Sequence, residues 1–212
     1  KVRFSYYKRK MKMNDASALK YWRHGFDDSA LGSPQTFRAI FAAMEHPGQL
    51  VTIRENPQAP DVLNSASAAI CLTLLDDETP VWTDVDRKSP AISWLQFGCG
   101  SAVVTESCMA YFAIITKPAT MPALDCFRVG PSEYPDKATT VVVQVDDILP
   151  ATVNKYSNIF LDNTVQLDLK GVPAKFWNQW WQVSGLYPLG VDIFFTCDDV
   201  LIALSKIKRN MS

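Results

Sequence analysis

The stretch YPLGVDIFFTCDDVLIAL, Tyr187–Leu204, decides how this chain folds. Pro188 and Gly190 shape a tight turn that delivers Asp192 to the start of a buried strand, Ile193–Cys197. Asp198-Asp199 interrupts the apolar run, and Val200–Leu204 resumes it. Two short apolar runs around a polar turn predict a β-hairpin. Upstream, Lys175–Val183 reads as a helix with Trp177, Trp180 and Trp181 at i, i+3 and i+4. Thr164–Leu169 alternates as a half-buried strand, and Asn154–Asn163 is polar and loop-like. Thr139–Val145 is β-branched almost throughout and predicts the clearest strand of all.

The same reading extends to the front of the chain. Tyr111–Thr116 is a continuous apolar run suited to a buried strand, and Val103–Thr105 reads as another. Met121–Phe127 reads as a helical turn, Ile92–Phe97 as a short helix, and Gly98–Gly100 as a loop. Pro80–Thr83 is a short strand opened by proline, after the acidic turn Asp76-Asp77-Glu78. Leu63–Leu75 predicts a buried helix and Asn56–Asp61 a loop. Gln49–Glu55 alternates as a strand. Ser33-Pro34 is a helix entry, a serine cap with proline at the first position, and Pro47-Gly48 ends that helix. Phe37, Ile40, Phe41 and Met44 recur along it at helical spacing and define an apolar face. The sum is seven or eight strands with interspersed helices, a mixed α/β sandwich with helices on both faces.

The 212 residues, 48% hydrophobic and 20% charged, have ordinary globular composition. No apolar run approaches the ~18 residues of a membrane span. The formal charge of −1 hides an asymmetry. Lys1, Arg3, Lys8, Arg9, Lys10 and Lys12 stand without an acid, and the rest of the chain holds 15 basic against 22 acidic residues. Residues 1–30 read as a basic, poorly ordered leader and residues 31–212 as one α/β domain. An acidic body argues against a nucleic-acid surface.

Catalytic signatures are missing: no G-x-G-x-x-G, P-loop, G-x-S-x-G or HExxH occurs. Five cysteines without C-x-x-C spacing read as reduced thiols of a cytosolic protein. Two histidines, His24 and His46, leave no basis for a metal site. Gly98-Cys99-Gly100-Ser101 reads as a structural turn, with phosphate cradling a weaker reading. The tryptophan cluster suits core or subunit contact better than base stacking. Arg38 points away from the helix's core-facing side and can serve either a phosphate or phosphonate oxygen or a surface ion pair. Asp192 can orient a substrate group or cap backbone amides.

Three blocks resemble a known family: FRAIFAAMEHPG at Phe37–Gly48, LTLLDDETPVWT at Leu72–Thr83, and YPLGVDIFFTCDDVLIAL at Tyr187–Leu204. Their order and spacing, from Pro34 to about Leu204, are similar to the PhnH family of the bacterial carbon–phosphorus lyase system, which breaks down phosphonates. Lys170–Pro173, Tyr134–Thr139 and Ser205–Ile207 depart from the family's usual segments. The resemblance implies a three-layer α/β/α sandwich with a mixed sheet of about seven strands, like the large domain of pyridoxal-phosphate transferases. It implies no cofactor site and no bound pyridoxal phosphate. It implies a component that works with carbon–phosphorus lyase subunits G, I and J and forms homodimers when isolated. With subunits G, I and L, such a component supports displacement of adenine from ATP by a phosphonate, giving a ribose 1-phosphonate 5-triphosphate. A free-standing enzyme or nucleotide- or phosphate-binding module with an Arg38/Asp192 pocket is the alternative. Within the blocks, Arg38, Thr79 and Asp192 are candidate functional positions. Phe37, Met44, Pro47, Gly48, Pro80, Trp82, Pro188 and Gly190 are motif positions, and no catalytic residue is assigned.

Overall fold

The computed structural model describes residues 34–134, 137–150 and 167–205. The leader and the loop at 154–163 lie outside these residues. Helix α1 spans Pro34–Glu45, and strand β1 is only Val51–Thr52. Helix α2 spans Ser65–Leu74, strand β2 Val81–Thr83, helix α3 Pro90–Phe97 and strand β3 Phe112–Ile115. Strand β4 is Thr140–Gln144, β5 Asp147–Pro150 and β6 Leu167–Lys170. Helix α4 spans Lys175–Ser184, and the chain returns as strands β7, Asp192–Cys197, and β8, Val200–Leu204.

Six strands form one mixed sheet in the order β1-β8-β7-β4-β3-β2. β2, β3, β4 and β7 run parallel, and β8 and β1 continue antiparallel. The expected hairpin is present, with Asp198 in a left-handed conformation at its turn (φ 49°). Register explains the layers. Ala113, Val141, Ile193 and Leu204 lie in one row and face the core shared with α4. The next row, Ile114, Val142, Phe194 and Ala203, faces α1, α2 and α3. Successive strand side chains point to opposite faces, so a strand apolar at every position needs cover on both. Helices on both faces supply it.

The helices start where short polar side chains can cap them. Asn64 accepts a hydrogen bond from Ser67 N at 2.8 Å at the start of α2, and Ser89 caps α3 ahead of Pro90. α4 buries Phe176, Trp180 and Val183 on one stripe.

Four expectations change. Val103–Thr105 is no strand; Val103 makes a single parallel bridge to Val81 at the sheet's edge. Gln49–Glu55 is reduced to Val51–Thr52, which among the described residues lies at the end of the sheet and pairs with β8. The described part of Thr164–Leu169 leaves the main sheet and pairs with Asp147–Pro150, an unforeseen strand, so the eight strands among the described residues divide six and two, not one sheet of about seven. Finally, Phe37 and Phe41 are 53% exposed and stack on each other at 6.5 Å. At ~100° per residue, the docked line Thr36, Ile40 and Ala43 lies about a quarter turn from the Phe37–Met44–Phe41 line.

Candidate functional site at the ends of the parallel strands

Open α/β sheets bind ligands beyond the carboxyl ends of their parallel strands. Two polar clusters occupy that end here. In the first, Asp84 follows β2 and its carboxylate takes up the end of β3. Oδ1 accepts from Thr116 N and Thr116 Oγ1, and Oδ2 accepts from Lys117 N, all at 2.9 Å. The second joins α2 to β4 and β7. Ser67 Oγ and Thr196 Oγ1 share a buried hydrogen bond of 2.7 Å, and Asn64 Nδ2 donates to Thr196 Oγ1 at 3.2 Å. Asn64 N donates to Gln144 Oε1, and Gln144 Nε2 donates to Val62 O. These groups largely satisfy one another, so the arrangement fixes the loops at this end.

The adjoining β7–β8 turn is acidic. Burial raises the Cys197 thiol's pKa, and Asp198, Asp147, Asp146 and Asp199 add to the rise. Lys170 pairs with Asp147 at 3.4 Å. A corner with four carboxylates repels an anionic phosphonate or triphosphate. Among the described residues, no group of three or more His, Cys, Asp and Glu is placed to hold a metal ion. No helix among them is long and apolar enough to cross a membrane.

The positions singled out by sequence gather instead toward the amino ends. Val81, Phe112, Thr140 and Asp192 form one register row across β2, β3, β4 and β7. Three strand spacings of about 4.8 Å separate its ends, roughly 14 Å. Pro80 opens this edge, its carbonyl accepting from Tyr111 N and Phe112 N. Thr79 Oγ1 binds Asp76 within the acidic turn. Trp82 packs edge-on against Phe127. Gly48 and Gly190 hold φ of 84° and 126°, where a side chain is disfavoured. Gly190 N donates to Val129 O, and the Tyr187–Pro188 bond is cis. Asp192 is half-buried as the first residue of β7.

Gly48 N donates to Ala203 O, so α1 ends, past Met44 and before Pro47, near the start of β7. Arg38 lies about 10 Å back along α1, exposed and roughly opposite its docked line. Thr79, Asp192 and Arg38 therefore stand on three separate elements: the turn ahead of β2, the first residue of β7, and α1.

Sequence reading missed both carboxyl-end clusters. Asn64 was findable as a cap ahead of an alanine-rich helix; its partners Gln144 and Thr196 lie 80 and 132 residues away.

The thiols divide sharply. Burial pushes Cys71 up to about 12 and Cys99 well above its ordinary value. Cys108 and Cys126 are exposed. An aromatic-disulfide thiol reagent added to the native chain is expected to modify Cys108 and Cys126 and to spare Cys71 and Cys99 until the chain unfolds. As pH rises past 9.0, the unfolded Cys71 ionises while the native thiol keeps its proton. Stability therefore falls between about pH 9 and 12, which urea titrations across that range would measure.

Comparison with known proteins places the sequence in a family. Residues 24–209 match the family model described as "Bacterial phosphonate metabolism protein (PhnH)". The chain belongs to that family. A relative from Rhizobium meliloti (strain 1021) is 30% identical over 185 residues, 87% of this chain and 92% of its own length. It is named alpha-D-ribose 1-methylphosphonate 5-triphosphate synthase subunit PhnH.

Proposed function

We propose that this chain is a subunit of a ribose 1-phosphonate 5-triphosphate synthase in bacterial phosphonate catabolism. In that role it supports attack of a phosphonate oxygen on the ribose C1 of ATP with release of adenine, alongside subunits G, I and J. The observation that carries this reading is the near full-length match to a relative named as a subunit of such a synthase. The geometry favours an auxiliary rather than a catalytic role. The carboxyl-end polar groups bind one another, and the acidic β7–β8 corner is unsuited to an anionic substrate.

The layered mixed sheet supports kinship with the large domain of pyridoxal-phosphate transferases, without the cofactor. A Schiff base requires a lysine at the site. The described lysines, Lys88, Lys117, Lys137, Lys170 and Lys175, are all exposed. A cytoplasmic homodimer in the isolated state completes the reading. Co-expression with tagged subunits G, I and J tests it: this chain is expected to co-purify in fixed stoichiometry through gel filtration. Elution of this chain apart from all three at every salt concentration would defeat the assignment.

A further inference from the structure

We propose that Cys108 and Cys126 form a surface dithiol that closes reversibly into a disulfide by exchange with a small disulfide such as oxidised glutathione. The two cysteines lie on separate single-turn helices, Ser107–Met109 and Leu124–Cys126, and both are exposed. Two independent links hold these segments side by side. Ser107 Oγ donates to Cys126 O at 3.0 Å. Thr139 Oγ1 donates to Ala110 O at 2.7 Å and accepts from Arg128 N at 3.1 Å. The links at 107/126 and, through Thr139, at 110/128 lie on either side of Cys108 along its segment and join that segment to the one carrying Cys126.

A disulfide requires Cα atoms roughly 4.4–6.8 Å apart. Direct ties between the two segments bring the backbones close, and neither cysteine is locked by a β-ladder or by burial. Cys126 Sγ has only a long contact, 3.8 Å, to the adjacent Asp125 carboxylate. Cys71 and Cys99 are buried and cannot compete for a soluble oxidant.

The exchange balances. One cysteine thiolate attacks a sulfur of oxidised glutathione, breaking its S–S bond and releasing one glutathione thiolate. The second cysteine thiolate then attacks the protein sulfur of the mixed disulfide, forming Sγ–Sγ and expelling the second glutathione. The protein gives up two electrons and two protons, and the two glutathiones gain them. The new bond closes residues 108–126 around β3, so oxidation raises resistance to unfolding and dithiothreitol reverses the gain.

The test treats the dilute full chain, in a Cys197→Ser background, with oxidised glutathione and maps its peptides by mass spectrometry. The expected product is a Cys108–Cys126 linked peptide pair, with the chain lighter by two hydrogens and no glutathione retained. Cys108→Ser and Cys126→Ser are each expected to retain one glutathione instead. Mapping the unaltered chain, with Cys197 read separately, guards against an effect of that substitution. A chain that keeps glutathione on both cysteines, links only to a second chain, or stays reduced overturns the pairing.

Discussion

Trp180→Ala is expected to destabilise the chain by about 3–5 kcal/mol, the cost of emptying a large aromatic site in a packed core. Trp180 is fully buried beneath the sheet, in the core that Phe176, Phe195 and Ile115 share. Each kcal/mol shifts Tm by about 2–4 °C in a domain of this size, so thermal denaturation followed by circular dichroism should show a fall of roughly 10 °C. A fall of under about 2 °C would contradict the placement of Trp180. Trp180→Phe is expected to be much milder. The indole Nε1 is buried and has no hydrogen-bond partner among the described residues, so phenylalanine removes an unsatisfied donor along with some volume.

Asp84→Ala is expected to loosen the carboxyl end of β3 and cost about 2 kcal/mol. Hydrogen bonds to a carboxylate are each worth about 1.5–3 kcal/mol, and water replaces part of that at a half-buried site. The residue-specific reading is hydrogen exchange. Thr116 and Lys117 amides lose their acceptor and should exchange faster, while Val142 and Phe194 keep their protection. Asp84→Asn should fall between the two, since one amide oxygen replaces two carboxylate oxygens. Unchanged exchange at Thr116 and Lys117 would show that Asp84 does not hold this end.

The fold was legible where local pattern and tertiary environment agree. The Ile193–Leu204 hairpin, the β4 run and the α2 segment are rich in buried apolar residues because each is covered, and coverage leaves a strong trace in sequence. Asp147–Pro150 carries little strand signal, because an acid and a proline flank only Ile148 and Leu149, and its ladder partner begins at Leu167. Val103–Thr105 has strand composition, yet its pairing with β2 amounts to one bridge. Phe37 and Phe41 show the limit of helical periodicity. The spacing fits two adjacent stripes, and docking onto β8 uses the one carrying the small Ala43. Family membership was legible from three blocks because those blocks include the turn glycines and the hairpin that the architecture needs. The carboxyl-end clusters were not legible, since Asn64, Gln144 and Thr196 meet only after the sheet has formed.

Adenine release from ATP in the presence of a phosphonate is the most direct test of the proposed role as a required subunit. The partner subunits of the synthase are assayed with this chain, without it, and the chain is assayed alone. Adenine is expected only when partners and chain are combined, with none above background from either part. Equal release by the partners without this chain, or release by this chain alone, would contradict the subunit role.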